Sequence, residues 1–213
     1  MGIKERKERE KEMRQRQIIT AAEKIFSAKG FRGATMEDIA REAELSPGAL
    51  YTYFNKKDDL YASLNLRLLK QLVEKAEAIR KKKNLDSEGK IHAIMDMFLD
   101  VYKSEPLLFM SLFNLQSSRD LWNLSEDIVA KINELAEKSV RAIAGILEDA
   151  IGDGTIIEAH PMALTDIIWS LFSGLVLWVD SKRFSNPEKD FLMPTASLAM
   201  DIFLRGVLKQ KSI

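Results

Sequence analysis

Apolar residues recur every three to four positions along almost the whole chain, and this spacing decides the fold class. One face of an α-helix repeats every 3.6 residues, whereas a half-buried strand places apolar side chains at every second position. Runs of β-branched residues in strict alternation are missing, and most of the five Pro and ten Gly fall between the periodic segments. The sequence therefore predicts an all-α protein, and its 213 residues are enough to bury a sizeable core.

Helix caps and breakers divide the chain into predicted helices. Gly30 is suited to end the first helix because glycine adopts a positive φ without strain. Thr35 is followed by Asp38 with the spacing of a capping box, and Ser46 precedes a Pro at a first helical position. The first predicted helix begins within residues 4–16 and ends at Lys29. The next two cover residues 36–43 and 47–54, and Asn55 opens a fourth that loses its apolar face at residues 80–83. The remaining predicted helices cover residues 88–103, 106–116, 125–151, 161–182 and 190–209.

The composition excludes several kinds of site chemistry. The chain contains no Cys, which removes disulfides, thiolate zinc sites, iron–sulfur clusters and a Cys nucleophile. Its two His residues, His92 and His160, lie far apart, and neither has a His or Cys neighbour at metal-ligand spacing. We therefore expect no metal and no other cofactor.

Two segments bear on where the protein resides. The charged run at residues 4–16 has no apolar core of a secretory signal, so we expect a cytoplasmic protein. The longest apolar stretch, residues 167–179, is shorter than the ~20 apolar residues that a spanning helix needs. It predicts a buried helix or an oligomer interface, with no membrane association.

Basic charge is concentrated near the N-terminus although the whole chain is neutral. Residues 1–35 hold 10 Lys and Arg against 5 Asp and Glu, whereas residues 61–213 hold 19 against 21. Any contact with nucleic acid therefore has to come from a local patch. The charged run at 4–16 has two interpretations, a solvated helix extension with internal ion pairs or a basic arm that reaches DNA.

Residues 36–54 have the proportions of a helix-turn-helix. A helix with the small residue Ala40 on its inner face is followed by a turn and a second short helix. Such a unit holds its last helix outward, where it can enter a major groove about 12 Å wide. The residues expected to close its core are Phe26, Ile39, Leu45, Leu50 and Phe54.

The same segment resembles the DNA-binding domain of TetR-family transcriptional regulators. The resemblance covers about residues 15–61 and rests on the run TMEDIAREAELSPGALYTYFNKKDDL at residues 35–60, on AAEKIF at 21–26, and on Gly30-Phe31. It implies a DNA-binding domain at 1–57, with a charged arm at 1–16, and a helical ligand-binding and dimerisation domain at 58–213. The chain departs from the family at Glu44, where Gly is usual. A positive φ costs a non-glycine residue ~1–2 kcal/mol, so the turn is either slightly strained or shaped differently.

The resemblance also implies roles for individual residues in DNA binding. Hydroxyl and ammonium groups donate to phosphates, whereas sequence is read by groups that reach the base edges. Because Gly48 and Ala49 carry no side-chain donor, Thr52, thymine methyl contacts and DNA shape would share the readout. An alternative for Tyr51 and Tyr53 is half-buried packing. The implied phosphate contacts are Thr35, Tyr51, Tyr53 and Lys57, the base-facing residues are Gly48, Ala49 and Thr52, and Arg41 and Pro47 complete the predicted DNA-binding set.

The helices after residue 58 are expected to hold a homodimer interface and a ligand cavity, as the resemblance implies. The predicted interface residues are Phe172, Leu175, Trp178, Ile202 and Phe203, which could instead complete the core of a single chain. Soft and aromatic side chains gather at Met95, Met97, Phe98, Phe109, Met110, Phe113 and Trp122, which suits an apolar pocket. The predicted pocket-lining residues are Phe98, Phe109, Phe113 and Trp169.

These inferences predict a dimeric repressor that a small, mainly apolar ligand releases from a palindromic operator in double-stranded DNA. One alternative is a helical interaction protein without sequence-specific readout. A second is a helical enzyme acting on a hydrophobic small molecule, for which Asp96, Asp100 and Asp166 are the nearest candidates. The chain has neither a Gly-rich phosphate loop nor a nucleophile elbow, and we therefore expect no enzymatic activity.

Overall fold

The computed structural model describes residues 2–117, 124–183 and 191–209, and these residues are helical almost throughout. The predicted all-α fold is confirmed across these ranges, whose β pairing is limited to an isolated bridge between Ile156 and Leu208. The helices are α1 (Ile3–Gly33), α2 (Met36–Glu42), α3 (Pro47–Tyr51), α4 (Lys57–Lys81), α5 (Ser87–Ser104), α6 (Pro106–Ser117), α7 (Glu126–Gly152), α8 (Pro161–Arg183) and α9 (Leu192–Val207).

Most helix ends lie within two residues of the predicted ones, and the ends of α1 and α3 differ by more, for local reasons. Gly30 has φ 69° and ψ 167°, so it interrupts α1 with a kink, and a further turn reaches Gly33. Helix α3 ends at Tyr51 rather than near Phe54, because the Thr52 hydroxyl and backbone N–H both donate to the Ala49 carbonyl and close a turn.

Contacts divide the chain into two compact units, residues 1–68 with 106–133 and residues 69–105 with 134–213. Helices α4 and α7 therefore each contribute residues to both units. We call these unit 1 and unit 2. The predicted boundary between residues 57 and 58 divides the chain by function rather than by contacts, and it stays a prediction.

The core of unit 1 begins with the three N-terminal helices. Helix α1 packs against α2, and α2 packs against α3. Of the five residues expected to close this core, Phe26, Ile39, Leu50 and Phe54 are buried, and Leu45 is half-buried.

Helix α4 also belongs to this core through an aromatic cluster of Phe26, Phe31 and Tyr61. The Tyr61 ring lies 5.1 Å from that of Phe26, edge to face, and 4.8 Å from that of Phe31. Aromatic pairs at such distances add to the stabilisation that burial supplies. The first turns of α4 are therefore packed onto the end of α1.

In unit 2, α5 packs against α8 and α9, which also pack on each other. The ring of Phe98 on α5 lies 5.2 Å from that of Phe172, nearly parallel, and 5.3 Å from that of Trp169. Phe98 and Phe172 are fully buried. These rings form the centre of the apolar layer between α5 and α8.

Helices α4 and α7 are joined in unit 2 by an ion pair that lies over a glycine. Arg80 Nε and Nη2 donate to the two carboxylate oxygens of Asp149, each at 2.8 Å. This bond lowers the pKa of Asp149 and raises that of Arg80. The guanidinium lies so close to Gly145 that a Cβ added there would meet Arg80 Nη1 at 2.5 Å. The pair in this geometry therefore requires a residue without a side chain at position 145.

Candidate functional site

The turn between α2 and α3 depends on Glu44. Within residues 2–117, 124–183 and 191–209 it is the one residue other than glycine with positive φ, at 55°. The turn is closed by the Leu45 N–H, which donates to the Ala40 carbonyl at 2.8 Å. Of the two alternatives for this turn, the structure has the strained one: a glutamate adopts the left-handed conformation in place of the usual glycine, and α3 follows a strained residue.

A capping box begins α2 and also holds one of the predicted DNA contacts. The Thr35 hydroxyl accepts from the Asp38 N–H at 3.1 Å, and Asp38 accepts from the Thr35 N–H at 3.4 Å. Lys29 and Arg41 each approach the Asp38 carboxylate to 2.8 Å. The hydrogen bond from Lys29, followed by that from Thr35, lowers the pKa of Asp38. Thr35 and Arg41 therefore lie on one exposed surface around an ionised carboxylate.

Helix α3 and the two residues after it hold six of the nine residues predicted to meet DNA, and four of these six are exposed. The Ser46 hydroxyl caps the helix by accepting from the Ala49 N–H at 3.2 Å. The side chain of Tyr51 is 43% exposed, which a packing role would not require. The exposed members of the predicted set in this segment are Pro47, Gly48, Tyr51 and Thr52, while Ala49 and Tyr53 are half-buried.

Lys57 is held by α1 more firmly than the sequence indicates. Its ammonium donates to the carbonyls of Phe31 and Ala34 at 2.8 and 2.9 Å and lies 4.5 Å from the centre of the Phe31 ring. Because an ammonium has three N–H donors, these two bonds leave one for another acceptor. Helix ends leave carbonyls without partners inside the helix, and the position of Gly30 is the sequence signal that could have indicated this anchor.

The charged N-terminal run is helical and exposed. Helix α1 begins at Ile3, and residues 5–13 are exposed to solvent. Arg6 Nε lies 3.1 Å from Glu10 Oε1, four residues later. This geometry agrees with the solvated helix extension, and a role of the run as an arm on DNA stays a prediction.

The predicted pocket-lining residues fall into two pairs, one in each unit. Phe98 contacts Trp169 in unit 2, as described above, and Phe109 lies 5.3 Å from Phe113 in unit 1. The phenylalanines are buried and Trp169 is half-buried. Trp122, which the sequence placed with the soft and aromatic residues, lies outside the described residues.

A group of buried polar side chains in unit 1 was not predicted from the sequence. Asn65 on α4 and Ser111 on α6 are 0% and 1% exposed, and the Ser111 hydroxyl donates to Asn65 Oδ1 at 2.7 Å. Burial raises the pKa of the Tyr61 phenol, and Ser111 partly offsets this shift. The signal was the position of Asn65 directly after Leu64, within the apolar run of α4, where a polar residue is unexpected.

Helices α8 and α9 expose apolar side chains, although two of the predicted interface residues point inward. Phe172 and Phe203 are buried within unit 2, Leu175 is half-buried, and Trp178 and Ile202 are 60% and 63% exposed. The other large apolar side chains exposed on these two helices are Ile167, Leu177, Met193 and Leu198. By length and composition alone α8 could cross a membrane, a test that core helices of soluble proteins also pass. Among the described residues this apolar face is exposed to solvent, as is typical of surfaces that pack against another molecule.

The aspartates considered as catalytic candidates lie on the surface. Asp96, Asp100 and Asp166 are all exposed to solvent. Over the described part of the chain, no group of three or more His, Cys, Asp and Glu is arranged to hold a metal ion.

Comparison with known proteins agrees with the geometry of α1 to α4. Residues 18–64 match the family model described as bacterial regulatory proteins, tetR family. The fatty acid metabolism regulator protein of Bacillus subtilis (strain 168) is 25% identical over 193 residues, which cover 90% of this chain and 94% of that protein. The transcriptional regulator HbdR of Aromatoleum sp. (strain CIB) is 35% identical over 136 residues, 62% of this chain and 58% of that protein.

Solved structures show the same fold over most of the chain. The regulator PfmR of Thermus thermophilus has a TM-score of 0.69 at 21% identity and covers 88% of this chain and 97% of its own. The regulator FadR of Bacillus subtilis in complex with stearoyl-CoA has a TM-score of 0.65 at 22% identity, with 89% and 97% covered. These similarities extend beyond α4 into the helices that the family model does not match.

Proposed function

This chain belongs to the TetR family of bacterial transcriptional regulators, and from that premise we propose that it is a homodimeric, cytoplasmic repressor that binds a palindromic operator. The observation that supports operator binding best is the exposed face of α3, presented by a turn in which Glu44 adopts a left-handed conformation. A strained residue is retained where the surrounding structure requires one backbone path. Here that path holds Tyr51 and Thr52 toward solvent.

The proposed contacts divide into phosphate and base contacts. The proposed phosphate contacts are donated by the hydroxyls of Tyr51, Tyr53 and Thr35. Lys57 would use its third N–H donor, because the other two bond the carbonyls of Phe31 and Ala34. Pro47, Gly48, Ala49 and Thr52 would approach the base edges, with Arg41 beside them on α2. Because this surface offers few side-chain donors to bases, we expect DNA shape and thymine methyl groups to contribute to the sequence preference.

The proposed dimer forms through the exposed apolar face of α8 and α9. Trp178 and Ile202 would lie in the interface with Leu175, while the buried rings of Phe172 and Phe203 support the face from within the unit. A two-fold axis brings the same patch of each subunit together, so a single interface covers the exposed apolar face of both subunits. The two DNA-binding heads then meet half-sites about 34–36 Å apart, one helical turn of DNA.

The proposed effector is a long-chain acyl compound of the acyl-CoA class. One relative is named a fatty acid metabolism regulator, and one structural neighbour was solved with stearoyl-CoA. An acyl chain also agrees with the mainly apolar ligand that the sequence predicts. The function requires no metal, no cofactor and no catalysis, since a ligand that prefers one of two conformations is enough to weaken DNA binding.

The test is selection of duplexes from a random DNA pool at physiological salt, followed by sequencing. We expect a palindromic motif with arms about one turn apart, and release of the selected duplex by palmitoyl-CoA. Binding that shows no enriched motif and only fades with salt would contradict sequence-specific regulation and favour the interaction protein.

A pair of matched variants tests the surface itself. Tyr51→Phe removes one exposed hydroxyl and should weaken binding to the selected duplex about 3- to 10-fold, the value of one hydrogen bond. Tyr102→Phe makes the same change at a buried residue of α5 and should leave the affinity unchanged. Equal affinity of Tyr51→Phe and the wild type would show that Tyr51 does not contact DNA.

A further inference from the structure

Asn65 is a polar side chain in the apolar core of unit 1, and one of its amide atoms has no partner there. The residue is 0% exposed, and its Oδ1 accepts a hydrogen bond from Ser111. Across the part of the chain that the structure describes, Asn65 Nδ2 has no hydrogen-bond partner. Buried amide groups in native proteins are almost always satisfied, because an unpaired one forfeits its bonds to water.

The hydrogen bond with Ser111 determines which atom of the amide is unused. The Ser111 hydroxyl donates to Asn65 Oδ1 at 2.7 Å and lies 2.9 Å from the Leu108 carbonyl of its own helix. The atom left over is therefore Nδ2. An amide nitrogen is a hydrogen-bond donor, so its missing partner is an acceptor.

The groups that meet at this point are all neutral. They are the amide of Asn65, the hydroxyl of Ser111 and the phenol of Tyr61, whose pKa is raised by burial and which therefore stays protonated at neutral pH. An ionised carboxylate brought here would lose its hydration without gaining a charged partner from these groups. A neutral carbonyl oxygen, which needs only a donor, suits the site.

The surroundings of this polar point are apolar. The neighbours along α4 and α6 are buried apolar side chains: Leu64, Leu68, Leu108, Phe109 and Leu112. Ligand pockets combine an apolar lining with a few polar groups that fix the orientation of the ligand. Phe109, two residues before Ser111 on α6, belongs to the predicted lining.

We propose that Asn65, held in place by Ser111, donates a hydrogen bond to the acyl carbonyl oxygen of the effector. The inference rests on the proposed function, because it assigns a role to one atom of the acyl-CoA class of ligand. It adds a selection rule: the site favours a thioester or ester over an alkyl chain of equal length without the carbonyl.

The test compares two probes, palmitoyl-CoA and its thioether analogue S-hexadecyl-CoA, which lacks only the carbonyl oxygen. Dissociation constants are measured by calorimetry for the wild type and for Asn65→Leu, which has a similar volume and no polar atom. The wild type should prefer palmitoyl-CoA about tenfold, and Asn65→Leu should lose that preference by weakening palmitoyl-CoA alone. The control is Thr165→Val, which removes a buried hydroxyl bonded to its own helix in unit 2 and should keep the preference.

The other outcomes contradict either the role of Asn65 or the acyl effector. If Asn65→Leu keeps the preference, or weakens both probes equally, Asn65 does not recognise the carbonyl, while the acyl effector stands because the wild type binds it. If the wild type binds neither probe, the acyl effector falls and this role of Asn65 with it. Should Asn65→Leu fail to fold, Asn65→Ala removes the same atoms without added bulk and is measured in the same way.

Discussion

Replacing Gly145 by alanine tests whether Arg80 and Asp149 form a stabilising link between α4 and α7. In the interior of a helix, alanine is more stable than glycine by about 1 kcal/mol. At this position, however, the added Cβ would lie 2.5 Å from Arg80 Nη1 and 2.9 Å from Cζ, so the guanidinium has to move away from Asp149. The substitution therefore gains helix propensity and loses the ion pair.

The two effects are of similar size. The side chains of Arg80 and Asp149 are 46% and 42% exposed, and water and salt screen a pair of this kind to about 0.5–1 kcal/mol. Gly145→Ala alone should thus leave the free energy of unfolding almost unchanged. In an Arg80→Ala background the obstacle is gone, and the same substitution should stabilise the protein by about 1 kcal/mol. The difference, about 0.5–1 kcal/mol, is the coupling energy between the two positions.

The assay is urea unfolding of the wild type, both single variants and the double variant. Gly206→Ala serves as the control, because a Cβ there meets nothing within 4 Å and should act equally in both backgrounds. The link also predicts a pH dependence: Arg80 lowers the pKa of Asp149, so the contribution of the pair is complete above the unfolded pKa and is lost as the pH falls through the lower, folded value. Gly145→Ala stabilising both backgrounds equally would refute the reasoning.

Two further predictions concern the turn and the dimer face. Glu44→Gly should raise the free energy of unfolding by about 0.5–1 kcal/mol, because relief of the left-handed conformation exceeds the entropy that glycine adds to the unfolded chain. Glu44→Ala, measured in the same thermal unfolding series, should gain nothing because it keeps a Cβ at positive φ; equal gains would contradict the strain. Ile202→Glu, at a residue 63% exposed on α9, should give a monomer in sedimentation, whereas Met13→Glu, at a 56% exposed residue of α1, should not. A dimeric Ile202→Glu protein would move the interface to another surface.

The elements that the sequence predicted correctly are those with local causes. The capping box at Thr35 and the cap at Ser46 each join residues three apart, and both form as the spacing indicates. Glu44 is a partial case: its position within the motif indicated either a strained turn with positive φ or a differently shaped turn, and the structure has the positive φ.

The parts that could not be predicted depend on residues distant in the chain. Lys57 bonds carbonyls 23 and 26 residues away, Asn65 bonds Ser111 46 residues away, and the partner of Arg80 lies 69 residues away. Such partners are set by how helices pack, which a local pattern does not contain. Helix α8 shows the same limit within one element. It is apolar on most of its surface, so period alone could not place Phe172 inward and Trp178 outward.

The aromatic cluster of Phe26, Phe31 and Tyr61 sets the smallest piece of this protein that can be studied by itself. A fragment ending at residue 57 would leave the two phenylalanines facing water, and would end the chain at the lysine that bonds the last turn of α1. Such a piece would be prone to aggregation, and its DNA affinity would be that of a domain with an incomplete core. Grafting this recognition module onto another regulator therefore requires carrying the start of α4 with it, so that the exchangeable unit extends past residue 57, the predicted end of the DNA-binding domain.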